Sequence, residues 1–351
     1  MCELFAMSFN QPVRPNISFK GFRRRGRQNP DGWGMALYPD KSVQIIKEPL
    51  EAGQSPLSEF LIKYEKFRSK IFISHVRRKT VGDVTYMDTH PFNRELNGKE
   101  YTFSHNGTLR NYRDFLSLGR FCPVGYTDSE YAFCYILKCI QENYINRWDE
   151  ENFRWLWGKI KEINKFGNFN CLFSDGEYLF CYYDKNGYNG LCFVHREAPY
   201  RQIRLVDEDF EINLAEEKDP IQKGFVIATR CLTDEQWEDF SKGELIVFSN
   251  GDIVFSSSGR SIKPFETPVN TKELNILRVI RKNPHRLNLI RICQTLNLSK
   301  EEVAPAIHSL LNKGYIKQDS RDSVLWNHNE ATFFTEPSKR EEIDKLIKNE
   351  R

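Results

Sequence analysis

Short runs in which apolar and polar residues alternate are the feature that most limits how this chain can fold. They recur through the first 255 residues between turn residues such as Asn, Gly, Asp and Pro; examples are residues 101–109 and 168–183, while residues 2–9 are an apolar and aromatic run that also predicts a strand. Such alternation is typical of strands that face a core on one side, whereas strands of a parallel sheet covered on both faces are continuously apolar. With a few intervening helices, the pattern predicts an α+β fold of layered antiparallel sheets.

Helical periodicity predicts three helices in this region. They are residues 56–69, a stretch from the N-cap candidates Thr127 and Asp128 to Ile140, and residues 153–164. The sequence KGFRRRGRQNPDGWG, residues 20–34, instead predicts a loop, because Asn-Pro and Asp-Gly mark tight turns. Its five basic residues between Lys20 and Arg27 either meet an acidic substrate or partner, or are simply solvated.

The period changes beyond a Ser- and Pro-containing linker at residues 256–268. Helical patterns then cover residues 271–281, 287–296 and 299–312, and short strands are predicted at 315–317 and 324–326. The third helix opens with a capping box from Ser299 to Glu302 and closes at Gly314, although Pro305 inside it is a misfit. Three helices and a hairpin predict a winged helix-turn-helix. The expected divisions are residues 1–262, a winged-helix-like domain at 263–330, and a charged, exposed C-terminal tail at 331–351.

The overall charge gives no reason to expect a polyanion partner. Lys and Arg number 51 against 48 Asp and Glu, a net charge of +3. Residues 271–330 carry ten basic and six acidic residues, which permits DNA binding but is less than a strongly basic surface. Glu301 and Glu302 lie near the helix tip that would enter a major groove. We therefore expect at most weak, salt-dependent DNA binding, and more readily contact with a partner protein.

The nine cysteines show no CxxC pair and no metal-ligand spacing, and their number is odd. This pattern predicts reduced thiols, no metal site and no cofactor. No stretch approaches the roughly 18 consecutive apolar residues of a membrane span. The N-terminal residues also carry a charge and a proline where a signal peptide needs its apolar run. We expect a soluble cytoplasmic protein without a membrane partner.

One cysteine stands out by position, because Cys2 directly follows the initiator Met1. Removal of Met1 would place a thiol and a free α-amine on one residue. An amine with a pKa of about 8 can accept the proton of a thiol with a pKa of about 8.5, so such a cysteine carries its own base. A small residue at position 2 is also common wherever Met1 is trimmed. The position alone leaves both interpretations open.

Six short motifs, taken together in chain order, resemble the glutaminase domain of the class II glutamine amidotransferases. They are Cys2, NPDGWG at 29–34, SHVR at 74–77, THPF at 89–92, SHNG at 104–107 and TDSE at 127–130. The stand-alone branch of this N-terminal-nucleophile family has segments similar to Phe169–Gly176 and Ile227–Leu245. The resemblance covers residues 1–255 and implies a four-layer αββα sandwich with the cysteine at a strand end. The winged-helix segment lies outside it.

The resemblance also implies a role for each site residue. Cys2 attacks the glutamine amide and forms a thioester, while the Asn106 side chain and the Gly107 backbone N–H stabilise the oxyanion. A second set binds the substrate: Arg77 takes the α-carboxylate, Asp128 takes the α-ammonium, and His90 contributes to the pocket wall. His75 and His105 are expected to be scaffold. Taken alone, Asn106-Gly107 is equally typical of a hairpin turn.

The ammonia acceptor is left open by the sequence. The C-terminal residues are too few and too helical for a synthase domain, so either a separate protein receives ammonia or the enzyme hydrolyses another γ-glutamyl conjugate. A third possibility is a glutamine-sensing transcription regulator that uses the winged helix. Intact Cys2, Asn106, Gly107, Arg77 and Asp128 favour an enzyme over a sensor, and the last two distinguish it from other N-terminal-nucleophile amidases.

Overall fold

A computed structural model describes residues 1–260, 269–283, 286–319 and 332–348. The chain divides into two compact units. One consists of Met1–Lys218 with Gln222–Ser261, and the other of Asp219–Ile221 with Ile262–Arg351. Each unit is described separately below.

The first unit contains fifteen strands and five α-helices. The strands are β1 (Glu3–Val13), β2 (Trp33–Leu37), β3 (Gln44–Glu48), β4 (Ser69–Val76), β5 (Phe92–Leu96), β6 (Lys99–Leu109), β7 (Gly167–Ser174), β8 (Leu179–Tyr182), β9 (Cys192–Arg196), β10 (Gln202–Arg204), β11 (Glu211–Asn213), β12 (Gly224–Ala228), β13 (Glu238–Asp239), β14 (Leu245–Ser249) and β15 (Asp252–Ser256). The helices are α1 (Asn16–Arg24), α2 (Pro56–Lys63), α3 (Asp128–Glu142), α4 (Glu150–Ile163) and α5 (Leu214–Glu217).

Two antiparallel sheets form the centre of this unit. A seven-stranded sheet has the order β13-β9-β12-β1-β4-β2-β3, and a six-stranded sheet has the order β15-β14-β8-β7-β6-β5. The prediction of an α+β fold with layered antiparallel sheets is confirmed, since every strand pair in both sheets is antiparallel. Strand β1 lies near the middle of the larger sheet, between β12 and β4.

Helices α1 and α2 cover the outer face of the seven-stranded sheet. Phe19 and Phe22 of α1 and Leu61 of α2 belong to one buried cluster with Phe5 and Met7 of β1. The rings of Phe5 and Phe22 lie 5.3 Å apart between centroids. Alternate residues of β1 therefore face these helices, as the period of a strand requires.

Helices α3 and α4 cover the outer face of the six-stranded sheet. Phe133 of α3 stacks on Phe103 of β6 with centroids 5.3 Å apart and planes 3° apart. Between the two sheets, Phe225 of β12 contacts Phe248 of β14 with centroids 4.9 Å apart. These contacts give the layer order helix, sheet, sheet, helix.

Helix α1 forms where the sequence predicts a turn and the start of a loop. Ile17, Phe19 and Phe22 are all buried, and their packing against the sheet outweighs the local turn signals. Part of the basic run also forms ion pairs within the protein. Arg25 forms an ion pair with Glu3 at 2.8 Å, and Arg24 forms one with Glu208 at 2.7 Å. At least two of the five basic residues therefore have internal partners rather than an acidic ligand.

The second unit contains four helices and a small sheet in its described part. The elements are α6 (Thr271–Lys282), β16 (Leu287–Asn288), α7 (Leu289–Leu296), α8 (Lys300–Asn312), β17 (Ile316–Asp319), β18 (Thr332–Thr335) and α9 (Arg340–Lys348). The sheet has the order β16-β18-β17. The capping box of α8 is confirmed, because the Ser299 side chain accepts from the Glu302 N–H and the Glu302 side chain accepts from the Ser299 N–H. Among the described residues, no helix has the length and apolar character needed to cross a lipid bilayer.

Three predictions for the C-terminal part concern segments that the structure describes only in part or not at all. The predicted strand at 324–326 and residues 261–268 of the predicted linker lie outside the described residues. The segment at 331–351, predicted as a charged tail with a short exposed helix from Pro337, contains α9 (Arg340–Lys348) in its described part. Within it β18 pairs with β17, and Ile343 of α9 is fully buried in the core of the unit. Ile343 is buried because a short apolar pattern interrupts this otherwise charged segment.

Replacement of Phe133 by Ala tests the packing of α3 on the six-stranded sheet. Because the ring is fully buried against Phe103, we expect unfolding of the first unit to become easier by about 3–5 kcal/mol. The measurement is urea unfolding followed by near-UV circular dichroism. Phe115→Ala removes an equally large ring that is 70% exposed, and should cost less than about 1 kcal/mol. Equal losses in the two variants would contradict this account of the core.

Candidate active site

Cys2 lies immediately before β1, and the antiparallel ladder between β1 and β4 places it beside the end of β4. Leu4 is paired with His75 and Glu3 with Val76, so the next residues in this register are Cys2 and Arg77. The Cys2 Sγ atom accepts a hydrogen bond from the Arg78 N–H at 3.1 Å. The thiol can in turn donate to the Arg78 carbonyl oxygen, also at 3.1 Å. The nucleophile candidate is therefore anchored at the end of a paired strand.

Burial raises the pKa of the Cys2 thiol, because a thiolate is poorly solvated there. The Arg78 N–H and the positive charges of the chain terminus and Arg77 act in the opposite direction. Burial is the largest of these influences, so the thiol favours its protonated form with Met1 in place. A base is needed to make it nucleophilic near neutral pH.

Two side-chain amides converge on the carbonyl oxygen of Cys2. Asn106 donates to it from Nδ2 at 2.6 Å, and Asn189 donates to it from Nδ2 at 2.8 Å. A carbonyl oxygen has two lone pairs, so both bonds can form together. They fix the peptide group that follows Cys2.

Asn106 and Gly107 are not a hairpin turn. Both lie inside β6, where Asn106 is opposite Asn170 and Gly107 is opposite Phe169 of β7. A Cβ atom on Gly107 would overlap the Asn168 carbonyl oxygen, so the close approach of β7 explains the glycine. Here the Asn-Gly pair lies in a strand, where the close neighbouring strand requires a glycine. By contrast, Asn250-Gly251 joins β14 to β15 with positive φ at both residues, as predicted.

The predicted substrate ligand Arg77 is buried, and its guanidinium reaches into the following loop. It donates to the carbonyl oxygens of Val81 and Asp83. Buried Asp88 continues this network, because its carboxylate accepts from the backbone N–H of Asp83 at 2.7 Å and of Tyr126 at 2.8 Å. The loop after β4 and the loop before α3 are thereby joined through one carboxylate.

Asp128 is the first residue of α3, directly after the N-cap Thr127. Its carboxylate accepts the Leu109 N–H at 2.6 Å and is almost fully buried. Leu109 ends β6 two residues after Gly107. This bond therefore fixes the start of α3 against the end of the strand that carries Asn106.

The three histidines near the site are buried. His105 contacts Ser129 Oγ through Nδ1 at 2.8 Å and the Asn168 carbonyl through Nε2 at 3.1 Å, which is the scaffold role expected for it. His90 is 4% exposed and lies between the rings of His75 and Phe92, with centroid distances of 4.2 and 4.5 Å. The structure thus places His90 in a buried cluster of tilted rings rather than on an open surface. Burial lowers the pKa of all three imidazoles.

The sequence pattern did not single out Asn189 and Arg78. Arg78 acts through its backbone, which no side-chain pattern can reveal. Asn189 precedes Gly190 in an Asn-Gly pair, and the two have φ of 57° and 77°. Asn-Gly is an ordinary turn signal, and nothing local indicates that the amide reaches residue 2.

The geometry just described is an N-terminal cysteine candidate at the start of a central strand, between two antiparallel sheets with helices outside. Residues 1–289 match the family model described as glutamine amidotransferases class-II. The chain therefore belongs to the class II glutamine amidotransferases.

Relatives and solved structures agree with this family. MJ1515, an uncharacterised protein of Methanocaldococcus jannaschii, is 45% identical over 99% of this chain and 97% of its own length. The Escherichia coli K12 protein that carries the name putative glutamine amidotransferase YafJ is 36% identical, over 72% of this chain and 100% of its own. A predicted glutamine amidotransferase from Pseudomonas aeruginosa has a structure with a TM-score of 0.56 and 30% identity, covering 72% of this chain and 100% of that one. A Bacillus subtilis glutamine phosphoribosylpyrophosphate amidotransferase, at 13% identity and a TM-score of 0.51, shares the fold over 97% of this chain and 70% of its own.

The buried histidines predict a specific pH dependence of stability. An unfolded histidine binds a proton near pH 6.5, whereas burial lowers the pKa of folded His75 to about 3. Between these values the unfolded chain binds more protons, so acid weakens the fold by up to about 1.4 kcal/mol per pH unit for this residue. His75→Gln should therefore show a smaller loss of the urea midpoint between pH 7 and pH 4.5. Parallel pH profiles for variant and wild type would contradict the assignment.

Proposed function

We propose that the chain hydrolyses the side-chain amide of glutamine, or a related γ-glutamyl amide, through a thioester on Cys2. The observation that supports this most strongly is the direct bond from Asn106 to the Cys2 carbonyl, which brings two predicted catalytic residues together. Arg77 lies one residue before the backbone group that contacts Sγ. Asp128 contacts the end of the Asn106 strand.

Removal of Met1 would supply the base that the thiol needs. Met1 is 57% exposed, so an aminopeptidase can reach it. The freed α-amine of Cys2 then accepts the proton of the thiol, so no other residue is needed as a base. A retained Met1 leaves a weakly basic peptide nitrogen in that position.

The two charged ends of the substrate match two side chains of opposite charge, Arg77 and Asp128, which we call the clamp. Arg77 has five N–H donors, and the contacts to the loop carbonyls use two of its nitrogens. We assign the remaining donors to the α-carboxylate, and the Asp128 carboxylate to the α-ammonium. The clamp would select a zwitterionic γ-glutamyl group over a simple amide.

The reaction then proceeds in two balanced steps. The Cys2 thiolate attacks the amide carbon, and the oxyanion is stabilised by the Asn106 amide and the Gly107 N–H. The C–N bond breaks as the α-ammonium of Cys2 returns its proton to the leaving nitrogen, which departs as ammonia and leaves a thioester. Water then attacks the thioester, giving glutamate and restoring the thiol.

The N-terminus provides the direct test of this proposal. We expect intact-mass measurement to show a mature chain that begins at Cys2 and hydrolyses glutamine. Cys2→Ala should remove turnover while its circular dichroism spectrum stays that of the wild type. Full glutaminase activity in a preparation that wholly retains Met1 would sink the mechanism.

Two variants separate substrate binding from chemistry. Arg77→Lys keeps the charge but loses the planar fork, so it should chiefly raise KM. Asn106→Ala removes an oxyanion donor and should lower kcat by roughly a hundredfold or more with a smaller effect on KM. Steady-state kinetics measures both, with Arg147→Lys at an exposed position as the matched control for the first. Near-normal kcat in Asn106→Ala would leave Asn106 with a structural role only.

A substrate screen decides between glutamine and a γ-glutamyl conjugate. The purified chain is incubated with glutamine and a set of γ-glutamyl amides, and the products are followed by mass spectrometry. Preference for glutamine favours delivery of ammonia to a separate acceptor protein. Preference for a substituted amide favours a conjugate hydrolase without ammonia transfer.

We propose that the second unit is a winged-helix-like domain that positions the enzyme. The order α6, β16, α7, α8, β17, β18 with a three-stranded sheet supports this assignment. Glu302 at the tip of α8 would face phosphates or base edges in a major groove, which disfavours tight DNA binding by this helix. We therefore favour a contact between this unit and a partner protein over DNA binding.

Truncation tests whether the first unit alone carries the activity and the second unit only positions it. A chain that ends near residue 262 should keep its glutaminase activity, because all the proposed site residues precede residue 131. The full chain should bind DNA only weakly and lose that binding steeply as salt is raised. Loss of the active fold on truncation, or tight DNA binding at physiological salt, would overturn the proposal.

A further inference from the structure

Among the residues that the structure describes, Asn189 is the one outside the proposed catalytic set whose side chain bonds to the backbone of Cys2. Its Nδ2 atom lies 2.8 Å from the Cys2 carbonyl oxygen, and the residues are 187 positions apart in the chain. Asn106 donates to the same oxygen from β6 of the six-stranded sheet, whereas Cys2 precedes β1 of the seven-stranded sheet. The contact is on the carbonyl side of Cys2, so removal of Met1 leaves it in place.

The loop that carries Asn189 is built by a buried polar network. Asp184 is fully buried, and its carboxylate accepts from the N–H groups of Asn186 and Tyr188 and from that of Phe169 in β7. Asn170 is also fully buried and donates to the Tyr188 carbonyl at 2.7 Å. Buried polar groups are costly unless fully paired, so this network holds the loop in one conformation.

The backbone at the tip of this loop is also constrained. Asn189 has a φ of 57°, a left-handed conformation that Asn, Asp and Gly adopt more readily than other residues. A Cβ at Gly190 would lie 2.8 Å from the Thr229 carbonyl oxygen, and Thr229 is itself bonded to the backbone of Leu4. The tip therefore packs against a residue that also holds the start of β1.

We propose that Asn189 is a positioning residue for Cys2, which holds the carbonyl of the nucleophile so that Asn106 can serve the reaction. A side-chain amide has two N–H donors, and Asn106 uses one of them on Cys2. With Asn189 on the same oxygen, the peptide group stays fixed when the oxyanion engages Asn106. The proposal rests on the proposed glutaminase function for its kinetic consequences, but the positioning itself does not.

Two substitutions isolate the amide donor. Asn189→Gly keeps the left-handed backbone accessible and removes the side chain, whereas Asn189→Asp keeps the shape and replaces the donor with acceptors. Asn186→Ala, at an exposed position of the same loop, is the matched control. All are made in the full chain, with the N-terminus verified by intact mass.

The first readout is the alkylation of Cys2 by iodoacetamide as a function of pH, followed by mass spectrometry of the N-terminal peptide. In a loosened site Sγ meets the Arg78 N–H less often, so the thiolate loses a stabilising bond. We expect both Asn189 variants to shift the midpoint upward by about half a pH unit or more. The Asn186 control should match the wild type.

The second readout is steady-state kinetics with glutamine. Both variants should lower kcat by about tenfold or more while KM changes by less than about threefold, because positioning acts on the reacting atoms rather than on the clamp. A merely structural role would lower the melting temperature without moving the alkylation profile or kcat, and that result overturns the proposal. So does a rise in KM alone, or an effect of the Gly variant that the Asp variant does not share. If the wild type hydrolyses neither glutamine nor a γ-glutamyl amide, the proposed function falls, and the alkylation profile still decides the role of Asn189.

Discussion

The antiparallel pairing of β1 with its two neighbours is the constraint on which the rest of the site depends. Cys2 directly precedes β1, and the hydrogen bonds to its thiol and to its carbonyl oxygen come from residues far along the chain. Pairing with β4 brings Cys2 beside the Arg78 backbone, and the Thr229 side chain after β12 fixes Leu4 from the other side.

Charges close to Cys2 reinforce this anchoring. Glu3 is buried and forms ion pairs with Arg25 and Arg230, so the residue after Cys2 is held from two segments. A buried carboxylate is unfavourable unless its charge is matched, and removal of one partner from such a pair is strongly destabilising. Arg25, part of the basic run that an acidic ligand could have contacted, thus stabilises the fold next to Cys2.

Two further residues near Cys2, Arg77 and Asn189, lie just outside strands, and a buried carboxylate ties each of their loops to the scaffold. Asp88 joins the loop after β4 to the loop before α3, and Asp184 holds the loop that presents Asn189. These carboxylates accept the backbone N–H groups of Asp83, Tyr126 and Tyr188 in loops and of Phe169 in β7. Binding groups can therefore lie on loops and still be placed accurately.

The sequence predicted most strands and helices of the first unit, because alternation and capping are local signals. Thr127 caps α3 as expected, and its neighbour Asp128 is fixed against the end of β6. Local signals failed where distant packing decides the structure. Helix α1 overrides turn residues through its buried phenylalanines, and Asn189 reaches Cys2 across 187 positions, which no local pattern reports. The Asn106-Gly107 pair shows the same limit, since a turn signal lies inside a strand.

Covalent labelling with a glutamine-mimicking electrophile tests the central claim most directly. The reagent is added to the purified full chain, and peptide mass spectrometry locates the adduct among the nine cysteines. Exposed Cys122 and Cys231 are internal competitors for any reagent that acts by general thiol reactivity. The account predicts one adduct, on the peptide that begins at Cys2, formed more slowly when glutamine is present. Labelling of Cys122 or Cys231 in preference to Cys2, or labelling of Cys2 that glutamine does not slow, would contradict it.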